Sequence, residues 1–309
     1  MSKIISKYFP VARPDMALRT RRGKAHIEIK YEAEASVGIE PERKVLKRPL
    51  EEAVVKSKQQ GNDLIKEESV SAGEVENKVH KWEPKDWKKV VENIAKMRSD
   101  TVAAVDTMGC HKCHDEEVSP ETKRFQMLVA LMLSSQTKDT TTFAVMQKLK
   151  AAGLSTKRII EMSVSELEQI IKPCNFYKRK TVFIKGAAQF CEDEHNGDIP
   201  STVDGLCRIK GVGPKMAHLA MHTAWGVVTG IAVDTHVHRI AHRLGWVKNP
   251  CKEPTKTQTE LESWLPHEYW RDINHLLVGL GQTICSPRNP QCKQCLNNKL
   301  CPTGKKTVR

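Results

Sequence analysis

The spacing of apolar residues divides the chain into two regions. From Trp82 onward, apolar residues recur at helical intervals, as in the series Trp87, Val90 and Ile94. Residues 1–80 instead mix Lys, Glu, Ser and Val without such a period and contain few aromatic residues. A segment of that composition buries too little apolar surface to fold alone. The pattern predicts a disordered basic tail over residues 1–80 and a folded body after it.

The folded body has the pattern of successive helices. Apolar residues between Phe125 and Leu133 form the stripe of a helix that is buried on one face. Ser163 and Glu166 have the spacing of a capping box, which begins a further helix. Another periodic segment runs over residues 270–284, and no segment shows the alternation that is typical of a strand. The sequence therefore predicts an all-α fold with short connections.

The charge balance indicates the kind of partner that the protein binds. The 309 residues carry 50 Lys and Arg against 37 Asp and Glu, a formal net charge of +13. Residues 81–309 hold 34 of these basic residues and 24 of the acidic ones, so most of the excess belongs to the folded body. Such an excess favours a polyanion, usually nucleic acid. No apolar run approaches the ~18 residues that a membrane span needs, so we expect no membrane association.

Four of the ten cysteines crowd into the last part of the chain, at Cys285, Cys292, Cys295 and Cys301. No hydrophobic signal segment opens the sequence, so clustered thiols indicate metal ligands rather than disulfides. Spacing alone favours zinc, because CxxC pairs are most often zinc sites and this spacing is not one of the ferredoxin patterns. A thiolate-bound metal centre is predicted in either case.

A second motif surrounds a glycine-rich turn. Gly211 and Gly213 permit a tight turn, and Pro214 suits the first position of a new helix, so the segment has the pattern of a helix-hairpin-helix. Backbone amides of such a turn can bind a DNA phosphate without reading sequence. Lys215 follows at the helix N-terminus, where the macrodipole disfavours its charged form. It is a candidate nucleophile, and the alternative is a surface lysine that binds phosphate.

The third motif lies before another predicted helix, over residues 232–239. Asp234 is a natural N-cap there, and capping alone would explain its presence. Capping and catalysis can coexist, because a carboxylate near an amine and a sugar can stabilise oxocarbenium character or carry a proton. Cys110, Cys113 and His114 match a haem-attachment pattern, but they stand in a polar stretch that we interpret as a loop, with adventitious metal binding as the alternative.

These motifs, taken in their order along the chain, resemble the endonuclease III family of DNA glycosylases, and more closely its eukaryotic members. The likeness covers about residues 84–302. It is carried by Leu133-Ser-Ser-Gln-Thr-Lys-Asp139, Ile209-Lys-Gly-Val-Gly-Pro-Lys-Met-Ala217, Ala232-Val-Asp-Thr-His-Val-His-Arg239 and the four clustered cysteines.

The resemblance implies an architecture and a cofactor. Two helical domains are expected, with DNA in the groove between them. Residues 117–228 would form a six-helix domain with the helix-hairpin-helix, residues 84–116 and 229–302 an iron–sulfur domain, and residues 303–309 a C-terminal tail. The four cysteines would bind a [4Fe–4S] cluster, which reverses the preference for zinc.

The resemblance also implies the roles of individual residues. Lys215 matches the family's catalytic lysine and Asp234 its catalytic aspartate. Gln136 matches the residue that enters the base stack, and Asp139 and His236 fall at the lesion pocket. Phe176 stands where the family places an apolar wedge, although the sequence around it departs from the usual pattern. Gly211 and Gly213 would contact the DNA backbone.

The implied activity is bifunctional. The enzyme would remove oxidised pyrimidines and then cut the abasic site by β-elimination through a lysine Schiff base. Its partner would be double-stranded DNA with damaged pyrimidines or abasic sites, and we expect a monomer. A monofunctional relative is disfavoured by the amine of Lys215. A non-catalytic DNA-binding protein with a structural metal would not need Lys215 and Asp234 together.

The tail carries weaker motifs. Ile5, Tyr8 and Phe9 resemble the motif by which repair proteins dock on the sliding clamp, and a chance match is the alternative. Basic residues over 19–24 and 43–48 suit nuclear import, and the earlier ones would also suit a mitochondrial presequence. We expect a nuclear protein, with the mitochondrion as a second location.

Overall fold

The computed structural model describes residues 82–308. The predicted tail, with the clamp motif of Ile5, Tyr8 and Phe9, lies outside these residues. The described part contains helices and no strands, so the all-α prediction is confirmed. None of its helices combines the length and apolarity that crossing a bilayer would require.

Thirteen α-helices and two short 3-10 helices follow one another over residues 82–308. The α-helices are α1 Trp87–Ser99, α2 Ala104–Met108, α3 Pro120–Ser134, α4 Asp139–Ala151, α5 Thr156–Glu161, α6 Val164–Ile171, α7 Tyr177–His195, α8 Val203–Arg208, α9 Pro214–Trp225, α10 Thr235–Leu244, α11 Pro254–Trp264, α12 Trp270–Thr283 and α13 Pro302–Thr307. The 3-10 helices are Cys110–Lys112 and His267–Tyr269.

Local sequence explains where many of these helices begin. Ser163 Oγ accepts from the backbone N–H of Glu166 at 3.1 Å, as the predicted capping box requires. Ser119 and Thr202 cap α3 and α8 in the same way. Pro214 occupies the first turn of α9, where its missing N–H costs no hydrogen bond.

The described helices pack around two separate apolar cores. The first core is built by α3 to α9, and its centre is α3, whose residues 125–133 are all buried. The second is built by α1 and α10 to α12, and contains an edge-to-face cluster of Trp87, Trp246, Trp264 and Tyr269. We call the two assemblies the hairpin lobe and the cysteine lobe.

Two segments differ from the sequence expectations. Residues 110–113 form a 3-10 helix and its end rather than a loop, and Cys113 is fully buried in the core of the hairpin lobe, whereas the family resemblance implies that residues 84–116 belong to the other domain. A free thiol packs like a small apolar group. The polar residues next to Cys113 in the sequence give no sign that it is buried. Most of residues 303–309, expected to be a tail, belong to α13, which Cys301 caps and Pro302 begins. The domain boundaries themselves stay predictions.

Candidate functional site

The glycine-rich turn has the form of a helix-hairpin-helix between α8 and α9. Gly211 adopts φ 95°, and a Cβ at this position would also collide with the Phe183 ring, so only glycine fits. Val212 is buried beneath the turn and its N–H donates to Ile209 O at 3.0 Å. The turn is therefore fixed from below by packing.

The outer side of the turn is open. No atom of the described chain lies within 4 Å of a Cβ built on Gly213, so packing does not demand glycine there. The backbone amides of Gly211 and Gly213 donate to no group among residues 82–308. Together with the N-terminus of α9 they form a surface that suits an anion. Lys215 is exposed beside it, as the second residue of α9.

Asp234 caps α10, as its sequence position predicted. Its Oδ1 accepts from the N–H of Val237 at 2.8 Å, and its side chain is half-buried. Residues 231–233 before it are buried, and Asn274 Nδ2 on α12 donates to Ala232 O at 2.6 Å. The carboxylate is thus fixed on the cysteine lobe, with its second oxygen left for other partners.

The pKa of His236, which lies on the cysteine lobe, is influenced by charged side chains of both lobes. Burial lowers its pKa, the carboxylates of Asp234 and Asp139 oppose that change, and the cations of Arg239 and Lys215 add to it. The imidazole therefore lies within electrostatic reach of Lys215 and Asp139 from the hairpin lobe and of Asp234 from its own. The amine of Lys215 and the carboxylate of Asp234, which the sequence singles out, thus both influence the same imidazole.

Asp139 is held by a residue that the sequence did not single out. Asp139 begins α4, and its Oδ2 accepts from Gln282 Nε2 at 2.7 Å. Gln282 lies on α12 of the cysteine lobe, and its Oε1 accepts from Val105 N at 3.0 Å. One glutamine side chain thus joins both lobes beside the site. No local pattern marks it, because its partners are distant in sequence.

Cys110 also borders this region, contrary to its assignment to an open loop. Burial raises the pKa of its thiol to about 11, with Ser134 as a hydrogen-bond partner that opposes the shift. Asp139 and Lys215 both act on it electrostatically. The thiol is accordingly neutral near pH 7.

Gln136 and Phe176 lie on neighbouring turns of the hairpin lobe. Both side chains are exposed, Phe176 with 63% of its surface, which is unusual for a large apolar group. Both residues adopt the left-handed conformation, with φ 51° and 58°. Asn175 Nδ2 donates to Gln136 O, so the turns are joined directly. The geometry presents a polar and an apolar side chain on one exposed edge.

The four clustered cysteines line one cavity of about 460 Å³, counting the part that is open to solvent. The cavity wall contains no His, Asp or Glu, so thiols are its only strong metal ligands. Among residues 82–308, no three His, Cys, Asp or Glu side chains are grouped closely enough to hold a single metal ion.

Hydrogen-bond donors point at two of the sulfurs. Arg243 on α10 donates to Cys285 Sγ at 3.2 Å and to the carbonyl oxygens of Ser286 and Pro287, each at 2.7 Å. The N–H of Gly304 donates to Cys301 Sγ at 3.4 Å. Donors of this kind stabilise negative charge on sulfur, so the residues present fit a thiolate-bound group.

Two-lobed helical packing, a helix-hairpin-helix turn, and a lysine and an aspartate whose charges act on one histidine are features of a DNA glycosylase of the helix-hairpin-helix class. Residues 129–267 match the HhH-GPD superfamily base excision DNA repair protein family. The chain belongs to the endonuclease III family within that superfamily, since it has close relatives there.

These relatives include whole proteins and solved structures. The chain is 50% identical over 226 residues to endonuclease III-like protein 1 of Gallus gallus, which covers 73% of this chain and 80% of that protein. For the Bos taurus protein of the same name the identity is 49% over 224 residues, covering 72% and 73%. The structure of a non-covalent endonuclease III–DNA complex matches with a TM-score of 0.63 and 29% identity, covering 72% of this chain and 97% of that one. The predicted family is confirmed, and the protein is a base-excision-repair DNA glycosylase and abasic-site lyase.

Proposed function

We propose that the protein excises oxidised pyrimidines from double-stranded DNA and cuts the resulting abasic site through a Schiff base on Lys215, with Asp234 as the assisting carboxylate. The observation that supports this proposal is the electrostatic environment of His236, whose pKa is influenced by Lys215 and Asp139 of the hairpin lobe and by Asp234 of the cysteine lobe. An amine and a carboxylate from different lobes thus both act on one imidazole, which a non-catalytic DNA-binding protein would not require.

Binding comes first in this mechanism. The free amides of Gly211 and Gly213 and the N-terminus of α9 hold a phosphate without reading sequence. The damaged nucleotide then leaves the stack, at a cost of a few kcal/mol that is smallest for bases that already stack poorly. Gln136 and Phe176 enter the vacated space from their shared edge. Asp139 and His236 line the pocket that receives the base.

The chemical steps follow from the two lobes together. The Lys215 amine bonds to the sugar C1′ as the bond from C1′ to the base nitrogen breaks, and the base leaves with the bonding electrons and takes up a proton. Asp234 stabilises the positive charge that develops on the sugar and the amine. After the ring opens to a Schiff base, loss of the C2′ proton expels the 3′ phosphate by β-elimination. Hydrolysis then releases Lys215.

We further propose that Cys285, Cys292, Cys295 and Cys301 hold a [4Fe–4S] cluster. Its contribution would be structural, since four bonds from one centre would fix a loop of this length. Lys293 and Lys299, exposed on that loop, would then face phosphate. Iron and sulfide analysis of the purified protein tests this, and stoichiometric zinc without iron would contradict it.

The cellular context extends the same function. We propose that the protein acts as a monomer on nuclear DNA, with mitochondrial DNA as a second substrate. The basic residues over 19–24 and 43–48 support nuclear import, and the earlier ones would also suit a mitochondrial presequence. Docking on the sliding clamp through Ile5, Tyr8 and Phe9 belongs to the proposal, although these residues lie outside the described part. Unchanged clamp binding after replacement of Tyr8 and Phe9 by Ala would contradict it.

Borohydride trapping tests the central claim. Borohydride reduces a Schiff base to a stable amine, so wild-type protein should form a covalent adduct with an abasic duplex. Lys215→Gln should abolish the adduct while it leaves DNA binding within a few fold, because a single side chain supplies a small part of the affinity. An adduct of normal yield from Lys215→Gln would contradict the assignment.

A further inference from the structure

Lys180 is a buried lysine that the proposed mechanism does not use. Its side chain on α7 keeps only 6% of its surface exposed. Its Nζ donates to the carbonyl oxygens of Leu133 and Ser135, each at 2.7 Å, and to Thr137 Oγ1 at 3.0 Å. All three ammonium protons thus have acceptors, although no acidic side chain of the described chain forms an ion pair with it. Burial lowers its pKa.

The acceptors of Lys180 belong to one turn. Leu133 and Ser135 lie at the end of α3, where backbone carbonyls lack helical partners and the macrodipole favours a cation. The turn continues to Gln136, whose left-handed backbone is uncommon for a residue with a Cβ. Hydrogen bonds on both sides of Gln136, from Lys180 to Ser135 and to Thr137, hold the turn in this conformation.

The same lysine is linked to the second exposed residue of that edge. Phe176 precedes α7 in a left-handed conformation, and its carbonyl oxygen accepts from the backbone N–H of Lys180 at 3.0 Å. One residue therefore bonds through its main chain to the turn of Phe176 and through its side chain to the turn of Gln136. Asn175 completes the connection by donating to Gln136 O.

Lys185, on the same helix, makes a similar set of three hydrogen bonds at the end of a different helix, away from the turns of Gln136 and Phe176. Its Nζ donates to the carbonyl oxygens of Ile159, Ile160 and Met162 at 2.8, 3.1 and 2.6 Å, at the end of α5. Lys180 and Lys185 thus make matched three-acceptor caps on the ends of two helices. Only the cap of Lys180 holds a turn that carries an exposed, left-handed glutamine.

We propose that Lys180 is a positioning residue that presets Gln136 and Phe176 for entry into the base stack. The inference rests on the insertion role proposed above for those two residues. A turn that already has its bound conformation loses less conformational entropy when the duplex opens. The effect of Lys180 should therefore fall on the step that extrudes a paired base and leave the chemistry at the sugar unchanged.

Single-turnover rates on two substrates separate these steps. One substrate is a duplex with a single oxidised thymine opposite adenine, and the other is a single strand with an abasic site, which needs no extrusion. Lys180→Met keeps the length of the side chain and removes its donors. We expect the duplex rate to fall on the order of 10- to 100-fold, which is the effect of a misplaced group, and the single-strand rate to stay within about threefold of wild type.

Lys185→Met is the matched control. It removes the other three-acceptor cap, so it should lower the melting temperature as much as Lys180→Met does, while both reaction rates stay near those of wild type. Asn175→Ala provides a second variant in case Lys180→Met does not fold. Asn175 is exposed, so its loss should spare the fold and lower only the duplex rate, by a smaller factor.

The results distinguish this inference from the proposed function. Equal losses on both substrates for Lys180→Met, or a duplex loss of the same size for Lys185→Met, would show general damage and overturn the positioning role. If Lys180→Met does not fold, an unchanged duplex rate for Asn175→Ala overturns it. Gln136→Ala and Phe176→Ala test the underlying insertion role, and a normal duplex rate for both would mean that the proposed function is wrong at this point.

Discussion

Two hydrogen-bonded bridges join the lobes beside the proposed site, and they are built differently. The Gln282 bridge consists of one side chain between Asp139 and Val105 N. The His218 bridge is a relay through Gln258 and Glu262. In it, Gln258 Nε2 lies 3.2 Å from His218 Nε2 and 2.9 Å from Glu262 Oε1, and Glu262 Oε1 also accepts from Ile231 N at 2.7 Å.

The two bridges end on different residues, so they should affect different parts of the site. The Gln282 bridge ends on Asp139, which is proposed to line the lesion pocket. The His218 bridge begins three residues after Lys215 on α9 and ends at Ile231, three residues before Asp234. It is therefore the bridge that connects the supports of the amine and the carboxylate. The contacts that join α9 to the segment before Asp234 are hydrogen bonds, which weaken steeply when their distance or angle changes.

Glu262→Ala should have the largest effect, because it removes the acceptor shared by Ile231 and Gln258. We expect a loss of about 1–3 kcal/mol in the free energy of unfolding for the unpaired groups. The single-turnover rate should fall on the order of 100-fold, because the segment before Asp234 loses its support. DNA affinity should change little. Denaturant unfolding, rapid-quench kinetics and DNA titration measure the three quantities.

A matched pair on α7 provides the control for Glu262→Ala. Gln189 Nε2 donates to Asp193 Oδ1 at 2.8 Å with the same four-residue spacing, but both residues are exposed and belong to neither bridge. Asp193→Ala should change stability by less than about 0.5 kcal/mol and leave the rate unchanged. If both variants lost activity alike, the bridge would have no special role.

Gln282→Leu should have the second largest effect. It leaves Asp139 Oδ2 and Val105 N without their partner and so costs about 1–2 kcal/mol of stability. We expect the rate on an oxidised pyrimidine to fall about tenfold, while trapping on a ready-made abasic site is nearly unchanged, because Asp139 is proposed to contact the base and not the sugar. Thr283→Val, which removes only a bond to Gly279 O within α12, is the control. Equal losses on both substrates would contradict the distinction between the bridges.

These bridges show where sequence reasoning ends. The helices, the cap of Asp234 and the turn at Gly211 follow from residues within a few positions of each other, so the sequence predicts them. Gln282 and Lys180 have partners up to 177 and up to 47 residues away, and no local sequence pattern predicts these contacts. The packing of Cys113 was missed for a related reason, since its neighbours in sequence are polar while its neighbours in space are apolar.

Gly230→Ala should perturb the His218 bridge without removing any of its groups. A Cβ there would lie 2.8 Å from His218 Cε1, 2.9 Å from Glu262 Oε1 and 3.0 Å from Gln258 Nε2. These are side-chain atoms that can move, so we expect a stability loss of about 1 kcal/mol and a rate reduced in the same pattern as for Glu262→Ala, but less. Gly213→Ala meets no protein atom and should leave stability unchanged while it weakens DNA binding.

The smallest effect concerns pH. Gln258 Nε2 can donate to His218 Nε2 only while that nitrogen is unprotonated, and His218 Nδ1 then donates to Thr229 Oγ1 at 2.8 Å. Burial lowers the pKa of His218, while Glu262 opposes the change.

Because the folded pKa lies below that of the unfolded chain, the bridge stabilises the protein fully above pH 6.5, and this contribution is lost as the pH falls through the lowered value. His218→Gln removes the titrating group and should lessen the drop in melting temperature between pH 7 and pH 5, by about 2–4 °C if the linkage is worth 1 kcal/mol. An identical drop in wild type and variant would mean that His218 does not govern the bridge in this range.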